Sequence, residues 1–170
     1  LKAIENLKKL SPAPLGSPDL AALIVPANYE EHLDKLRECD LVIEAIAERM
    51  DWKHDLYKRV AGAIAPDAIF ATNTSGLSIT ELAKGIGESL QSRFCGVHFF
   101  NPPRYMHLAE LIPTAKTDPA ILDRLETFLT TTLGKGVVRA KDTPNFVGNR
   151  VGVFGILSAM IEAERFNIPF

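Results

Sequence analysis

The sequence predicts an α/β fold with a doubly wound, mainly parallel sheet, and three observations support this prediction. Short apolar runs alternate with longer segments of helical periodicity along the chain. The apolar runs are continuous, as in strands of a parallel sheet that is covered on both faces. Polar clusters follow several of these runs directly, and such sheets bind ligands outside the carboxyl ends of their strands. We therefore expect one ligand crevice along that edge of the sheet.

The first 65 residues are expected to contain three helices and two strands. The helices cover residues 1–10, 28–39 and 50–65, and the strands cover residues 22–28 and 40–48. Leu1, Ile4 and Leu7 recur at helical spacing in the first helix. Asn28 is a candidate N-cap for the second helix, and Asp51 opens the third.

The same alternation continues to the end of the sequence. Strands are expected at 68–75, 92–100, 106–112 and 135–141, and helices at 78–86, 118–134 and 146–166. Asp118 is expected to cap its helix and Gly134 to close it. The last helix is apolar around most of its circumference, a pattern typical of buried helices. Since apolar surface of that size marks an interface, we expect residues 146–170 to join copies of the chain into a homo-oligomer.

Composition and charge narrow the classes of partner. Of the 170 residues, 46% are apolar and 24% are charged, as in an ordinary globular domain. The formal net charge is -2 without blocks of like charge, so we expect no nucleic-acid partner and no anionic membrane partner. The longest apolar stretch, residues 151–161, contains two glycines and is too short to cross a bilayer. Cys39 and Cys95 have no CxxC spacing, which favours free thiols in a reducing compartment such as the cytoplasm.

One histidine stands in an unusually apolar place. The segment "GVHFFNPPRYMHLAELI", residues 96–112, puts His98 directly before two phenylalanines. By residue type alone, such a histidine is more often a packed core residue than a catalyst. Glu110 favours the catalytic interpretation if the segments on the two sides of the "NPPRY" turn are neighbours. Its carboxylate can then accept the Nδ1–H of the ring. The alternative is a glutamate that caps or solvates a strand end.

Three further polar residues have two interpretations each. Asn73 and Ser75 in "TNTSG" either present polar groups at the mouth of the crevice or satisfy turn and N-cap hydrogen bonds, and the local pattern favours the turn. Asn149 lies within an apolar helix, where a buried amide needs partners. The sequence contains no GxGxxG fingerprint, and its histidines lack a metal-ligand spacing, so we expect no metal site.

Five motifs together resemble the NAD-binding domain of L-3-hydroxyacyl-CoA dehydrogenases. They are "DLVIEAIAE", "IFATNTSGLSI", "GVHFFNPPRYMHLAELI", "LGKGVV" and "KDTPNFVGNR", in the order of that family. The resemblance implies a Rossmann-like fold and the oxidation of (3S)-3-hydroxyacyl-CoA, an acyl-CoA thioester, to 3-oxoacyl-CoA with NAD in fatty-acid β-oxidation. It also implies an incomplete NAD-binding domain over residues 1–145 and the first helix of an all-helical second domain over residues 146–170.

The resemblance implies catalytic roles for particular residues. His98 corresponds to the general base that removes the proton of the 3-hydroxyl, and Glu110 to the residue that orients the ring and stabilises the imidazolium. Phe99 and Phe100 would form a dry apolar wall, which strengthens the electrostatics of this pair.

Substrate and cofactor contacts are implied in the same way. Ser75 corresponds to the serine that hydrogen-bonds the substrate oxygen at the reacting carbon, and Asn149 to a residue that positions the substrate. The implied cofactor-binding residues are Ala47, Glu48, Lys53, Asn73, Ser75 and Asn101. Within this set, Glu48 and Lys53 fall on the ribose and phosphate side, and the two asparagines fall at the nicotinamide end.

The sequence also departs from the family pattern. The glycine turn and the acidic ribose-binding residue are missing ahead of residue 1, and most of the helical domain is missing after residue 170, so we expect this chain alone to bind NAD feebly and to turn over little. Asn145 stands at the usual glycine of "TPGF", and asparagine tolerates positive φ better than other residues. Two alternatives are a non-enzymatic structural or interaction protein on the same fold and another Rossmann dehydrogenase of hydroxy acids.

Overall fold

Five strands form one sheet in the computed structural model, which describes residues 2–169. They are β1 Leu41–Glu44, β2 Ile69–Thr72, β3 Phe94–Phe99, β4 Leu108–Pro113 and β5 Gly136–Arg139. The spatial order follows the chain: β1, β2 and β3 are parallel, β4 is antiparallel to β3, and β5 is parallel to β4. The predicted α/β class with a mainly parallel sheet is confirmed.

Six α-helices of the described chain lie before, between and after the strands, and the connection from β3 to β4 has none. Within residues 2–169 they are α1 Lys2–Leu7, α2 Met50–Val60, α3 Ile79–Ala83, α4 Glu88–Gln91, α5 Pro119–Thr127 and α6 Gly148–Arg165. Two short 3-10 helices cover Pro18–Leu23 and Leu33–Glu38, and a π-helical turn, Phe128–Thr132, extends α5. The side chain of Asp118 accepts the N–H of Ala120 at 2.9 Å, and Gly134 has φ +65°, so the predicted limits of that helix are confirmed.

The predicted strand at residues 22–28 is wrong. Its first residues belong to a 3-10 helix and the rest pair with no strand, because the segment finds no apolar cover. The side chains of Leu23 and Val25 are 78% and 68% exposed. Pro26 adds to this by removing a backbone donor that a sheet would need.

Three predicted helices are shorter than expected or of a different type. The first ends at Leu7 rather than at residue 10, and residue 1 lies outside the described residues. The second, predicted for residues 28–39, is a 3-10 helix that starts at Leu33, because Asn28 caps a turn instead: its side chain accepts the N–H groups of Glu30 and Glu31. The third begins at Met50 and ends at Val60, five residues early, and Asp51 lies in its first turn rather than at its cap.

The sheet separates two apolar layers. On one face, Phe70 and Phe94 pack with Tyr57 of α2 and Leu82 of α3. On the other, strand residues such as Val97 pack with α5. Side chains alternate between the two faces along each strand, so both faces carry apolar side chains, as the continuous apolar runs predict. The sheet is thus a rigid frame whose strand ends and connecting loops carry the polar groups described next.

Candidate active site

His98 and Glu110 contact each other directly. They are opposite partners in the antiparallel pair β3–β4, and His98 Nδ1 lies 2.7 Å from Glu110 Oε2. Opposite residues on one face of such a pair have adjacent side chains, which is why a separation of twelve residues brings the two groups together. His98 is 3% exposed and Glu110 is fully buried. The predicted contact is confirmed.

The second ring nitrogen of His98 remains available to a ligand. Nδ1 bonds Glu110, and Nε2 has no hydrogen-bond partner among residues 2–169. Among residues 2–169, however, no buried side-chain nitrogen or oxygen lacks a partner. Nε2 therefore belongs to the small part of the ring that reaches the surface. Because Glu110 occupies Nδ1, Nε2 is the atom that can accept a proton from a bound molecule.

The other oxygen of Glu110 holds the start of α6. Oε1 accepts the backbone N–H groups of Val147 and Gly148 at 2.9 and 2.8 Å. These amides have no acceptor within the helix, and a carboxylate is favourable beside the positive end of the helix dipole. One buried carboxylate thus connects the histidine on β3 to the beginning of α6.

Two aromatic rings pack against His98. The centroid of Phe100 lies 4.5 Å from the imidazole and that of Phe146 lies 5.6 Å away. The predicted wall is thus correct for Phe100 and wrong for Phe99, which packs in the apolar layer under α5. The reason is the strand period of two residues, which turns neighbours to opposite faces. The contribution of Phe146 cannot be read from its position in the sequence.

Ser75 and Asn149 come together from the end of β2 and the first turn of α6. The side-chain amide of Asn149 donates to the backbone carbonyl of Ser75 at 3.3 Å. Ser75 is exposed, and its hydroxyl has no partner among the described side chains. The side-chain amide of Asn149, which the sequence places in an apolar helix, therefore has a hydrogen-bond partner. The hydroxyl of Ser75 is left available to a ligand.

The two other predicted asparagines differ in their surroundings. The side-chain oxygen of Asn73 accepts the N–H of Phe99 at 2.9 Å, which ties the ends of β2 and β3 together. The favoured interpretation, that Asn73 and Ser75 satisfy local turn and N-cap hydrogen bonds, is wrong for their side chains, because Asn73 binds a distant strand and Thr74 accepts the turn N–H of Leu77 instead. The amide nitrogen of Asn73 has no partner in residues 2–169. Asn101 is exposed in the loop between β3 and β4.

Glu48 anchors the turn after β2. Its Oε1 accepts the hydroxyl of Thr74 at 2.5 Å and the N–H groups of Ser75 and Gly76 at 2.9 and 2.8 Å. Burial acts to raise the pKa of this carboxyl, but the hydrogen bonds from the turn and the nearby ammonium of Lys53 outweigh it and lower that pKa below its usual value. The neighbouring residue, Ala47, is exposed.

Lys53 is not at the surface. Its ammonium lies 2.7 Å from Glu44 Oε1 and donates to the carbonyl of Ile46, and both charged side chains are 1% exposed. Glu44 also accepts the N–H of Ile46 and the hydroxyls of Tyr57 and Thr72. The structure thus places Lys53 beneath the loop that carries Glu48, 4.0 Å from that carboxylate. Sequence reasoning missed Glu44, although a glutamate inside an apolar run was a signal for it.

Other features lie apart from this site. A depression of ≈ 740 Å³ lies beside β1 and α5, and none of its lining residues belongs to the predicted site. Within residues 2–169, no group of three His, Cys, Asp or Glu side chains is placed to hold a metal ion. No helix in the same range is long and apolar enough to span a membrane.

A mainly parallel α/β sheet with polar groups near its carboxyl edge is the architecture of the doubly wound ligand-binding domains, which include dinucleotide-binding domains. Residues 2–143 match the family described as 3-hydroxyacyl-CoA dehydrogenase, NAD binding domain. The chain belongs to this family. The resemblance predicted from the motifs is therefore confirmed.

Individual relatives agree with the family. The chain is 46% identical over 165 residues to a probable 3-hydroxyacyl-CoA dehydrogenase of Deinococcus radiodurans, covering 97% of this chain and 48% of that protein. It is 46% identical over 152 residues to a putative fatty acid oxidation complex trifunctional enzyme of Rickettsia felis, covering 89% of this chain and 21% of that protein. The chain thus spans about half or less of these relatives.

Solved structures show the same fold. FadB2 of M. tuberculosis superposes with a TM-score of 0.79 at 32% identity, over 96% of this chain and 56% of that chain. The 3-hydroxybutyryl-CoA dehydrogenase of Escherichia coli superposes with a TM-score of 0.75 at 32% identity, over 88% of this chain and 32% of that chain.

Proposed function

We propose that the protein carrying this chain oxidises (3S)-3-hydroxyacyl-CoA to 3-oxoacyl-CoA with NAD, in fatty-acid β-oxidation. The observation that carries the proposal is the His98–Glu110 pair. Nδ1 of the buried His98 ring bonds Glu110, and its Nε2 has no hydrogen-bond partner among residues 2–169. Family membership and the printed names of the relatives support the substrate class.

The two residues divide the work of proton removal. His98 Nε2 takes the proton of the 3-hydroxyl as the carbon–oxygen double bond forms, and the ring becomes an imidazolium. Glu110 accepts its Nδ1–H, which fixes the tautomer and stabilises the positive ring. Bound NAD would supply the acceptor for the hydride that leaves C3, so the products would be 3-oxoacyl-CoA, NADH and one proton. Positioned bases of this kind contribute about 10²–10⁴-fold to rate.

The substrate side of the site consists of Ser75 and Asn149. The free hydroxyl of Ser75 suits a hydrogen bond to the oxygen on C3 in both the alcohol and the ketone. Asn149 donates to the backbone carbonyl of Ser75 and so restrains the main chain that carries this hydroxyl. We assign Asn149 a positioning role on this contact.

The residues assigned to the cofactor have polar groups that suit a dinucleotide. Glu48 has one oxygen committed to the turn, and the other has no hydrogen-bond partner in residues 2–169, so it can accept from a ribose hydroxyl. Ala47 beside it is exposed and small, which allows close approach. Asn101 and the free amide of Asn73 are assigned to the nicotinamide end. Lys53 would act indirectly, by holding in place the loop that carries Glu48.

Substitution of His98 tests the proposed activity. In the complete protein, the rate of NADH oxidation with acetoacetyl-CoA should fall about 10²–10⁴-fold in His98→Ala, because no other group takes the place of the base. His32→Ala is the matched control and should leave the rate unchanged, since within residues 2–169 the side chain of His32 bonds the N–H of Asn28 and no other group. Equal rates in wild type and His98→Ala would refute the enzyme proposal. Equal activity on hydroxy acids without CoA would instead indicate the other dehydrogenase class.

We also propose a domain boundary and a self-association surface. Residues 1–145 would form the NAD-binding part, and residues 146–170 the first helix of a second, helical domain. The apolar residues of α6 support this, because many are exposed: Val151, Phe154, Ile156, Leu157 and Ile161 exceed 50%. Light scattering should report a homo-oligomer that Phe154→Glu disrupts. A monomeric wild-type protein would contradict the proposal.

Cytoplasmic localisation is the remaining proposal. Cys39 and Cys95 are free thiols, as expected in a reducing compartment. We propose the acyl-CoA thioester as the partner molecule, with neither nucleic acid nor membrane. Cell fractionation with an antibody to this chain tests the location, and recovery of the protein in a membrane pellet would contradict it.

A further inference from the structure

Residues Asn145 and Phe146 adopt an uncommon backbone conformation. Their φ values are +63° and +47°, in the left-handed region. Asparagine occurs there several-fold more often than most residues, but a bulky aromatic residue does not. Such a conformation persists only where the surroundings impose it, and it concentrates at functional sites.

The surroundings of Phe146 explain how it is held. Its side chain is 2% exposed and belongs to the apolar layer that contains Tyr57 and Phe70. Its N–H donates to the carbonyl of Thr143 at 2.9 Å. The turn directs the ring toward His98, at 5.6 Å between centroids, while the next two N–H groups reach Glu110. A single short segment thus contacts both members of the pair.

Gly148 affects the second ring that packs on the imidazole, that of Phe100. A Cβ atom there would lie 2.5 Å from Phe100 Cζ and 3.1 Å from Leu108 Cδ2. Only glycine lets α6 approach Phe100 this closely without displacing its ring. Phe100 in turn packs on His98 at 4.5 Å. The imidazole therefore packs against two rings, that of Phe146 just before α6 and that of Phe100 beside the first residue of α6.

We infer that residues 145–148 form a positioning segment for the reacting histidine, in which Phe146 packs directly on the imidazole and Gly148 leaves the space that Phe100 needs to pack on it. This inference rests on the proposed function of His98. Neither residue touches the reacting atoms in this role. Loss of either should therefore lower the turnover rate while leaving the affinity for substrate nearly unchanged.

The experiment compares Phe146→Leu with Phe128→Leu in the complete protein. Phe128 lies in the π-helical turn after α5 and is 38% exposed, so its replacement should change neither kcat nor KM. Phe146→Leu keeps an apolar side chain but removes the ring, and kcat for acetoacetyl-CoA reduction should fall about 10- to 100-fold with KM within about twofold, as for a small misplacement of a reacting group. Gly148→Ala should give the same pattern through Phe100.

A spectroscopic measurement separates positioning from simple loss of stability. The chain contains four histidines, and with ¹⁵N-labelled histidine the ring signals of His98 are assigned by their loss in His98→Ala. They should shift or broaden in Phe146→Leu and Gly148→Ala, while the other histidine signals stay in place. Unchanged His98 signals in both variants, or unchanged kcat in both, would overturn the inference. If Phe146→Leu does not fold, Gly148→Ala decides by the same two readouts. Full activity of His98→Ala would instead refute the proposed function, while the ring signals still report the positioning contacts.

Discussion

Replacement of Lys53 by methionine should destabilise the protein strongly, because it leaves the buried carboxylate of Glu44 without its ammonium partner. The ammonium lies 2.7 Å from Glu44 Oε1, and both side chains are 1% exposed. Breaking a buried ion pair from one side costs about 3–5 kcal/mol, because the other charge stays buried without compensation. Glu44 keeps three other hydrogen bonds, from the N–H of Ile46 and the hydroxyls of Tyr57 and Thr72. We therefore expect the lower end of that range.

Urea unfolding followed by circular dichroism measures this effect. A loss of about 3 kcal/mol corresponds to a fall in melting temperature of roughly 6–12 °C for a domain of this size. Glu44→Gln alone should also destabilise, and the double variant should lose less free energy than the sum of the two, because neither charge is then left alone. Lys58→Met is the matched control: its ion pair with Asp55 is exposed, and its removal should leave the midpoint unchanged.

Two results would refute the reasoning about this pair. The first is a loss below about 1 kcal/mol in Lys53→Met, since the cited cost of an uncompensated buried charge is several times larger. The second is strict additivity in the double variant, which would mean that the two groups do not interact. Lys53 is proposed to hold the loop that carries Glu48 on the cofactor side of the site. Lys53→Met should therefore also raise the KM for NAD more than the KM for the acyl-CoA substrate.

Three further predictions concern the remaining polar groups and thiols. Asp142→Ala should cost about 1–2 kcal/mol, because the Asp142 carboxylate caps α3 from a distant segment and accepts two of its N–H groups and one hydroxyl. Stability should fall in acid, since the pKa of Glu48 and that of Asp142 both lie below their usual values of 4.5 and 3.8 in the folded protein: the contribution is complete above those values and is lost as the pH falls through the lowered pKa values. In the native protein only Cys39 should react with a thiol reagent, because Cys95 is fully buried and its burial raises the pKa of that thiol to about 12.

Each of these three has its own control. Asp142→Asn keeps an acceptor oxygen and should lose less stability than Asp142→Ala, and equal losses would argue against the capping role. The acid effect should shrink in the Asp142→Asn variant, which no longer has that titrating carboxyl, and an unchanged acid limb would contradict its assignment. Denaturation should expose the second thiol, so labelling of both cysteines without denaturant would contradict the buried position of Cys95.

The sequence was sufficient for the parts of the fold that depend on local pattern. Apolar runs predicted all five strands of the sheet approximately, because strands of a sheet covered on both faces are mostly apolar on both of their sides. The sequence also predicted that the helical segment made of α5 and its π-helical turn begins after Asp118 and ends before Gly134, because capping depends on local sequence. The strand predicted at 22–28 failed because apolar residues form a strand only where another element covers them, and here Leu23 and Val25 face solvent.

Identification of the candidate site required both the sequence and the tertiary structure. Residue types and motif resemblance singled out His98 and Glu110, but only the antiparallel register of β3 and β4 brings Nδ1 within 2.7 Å of the carboxylate. The partner of Lys53, the face on which each phenylalanine lies, and the left-handed turn that carries Phe146 all follow from contacts between segments distant along the chain. Such contacts leave no local pattern, because burial, charge pairing and backbone conformation are decided by neighbours that packing brings together.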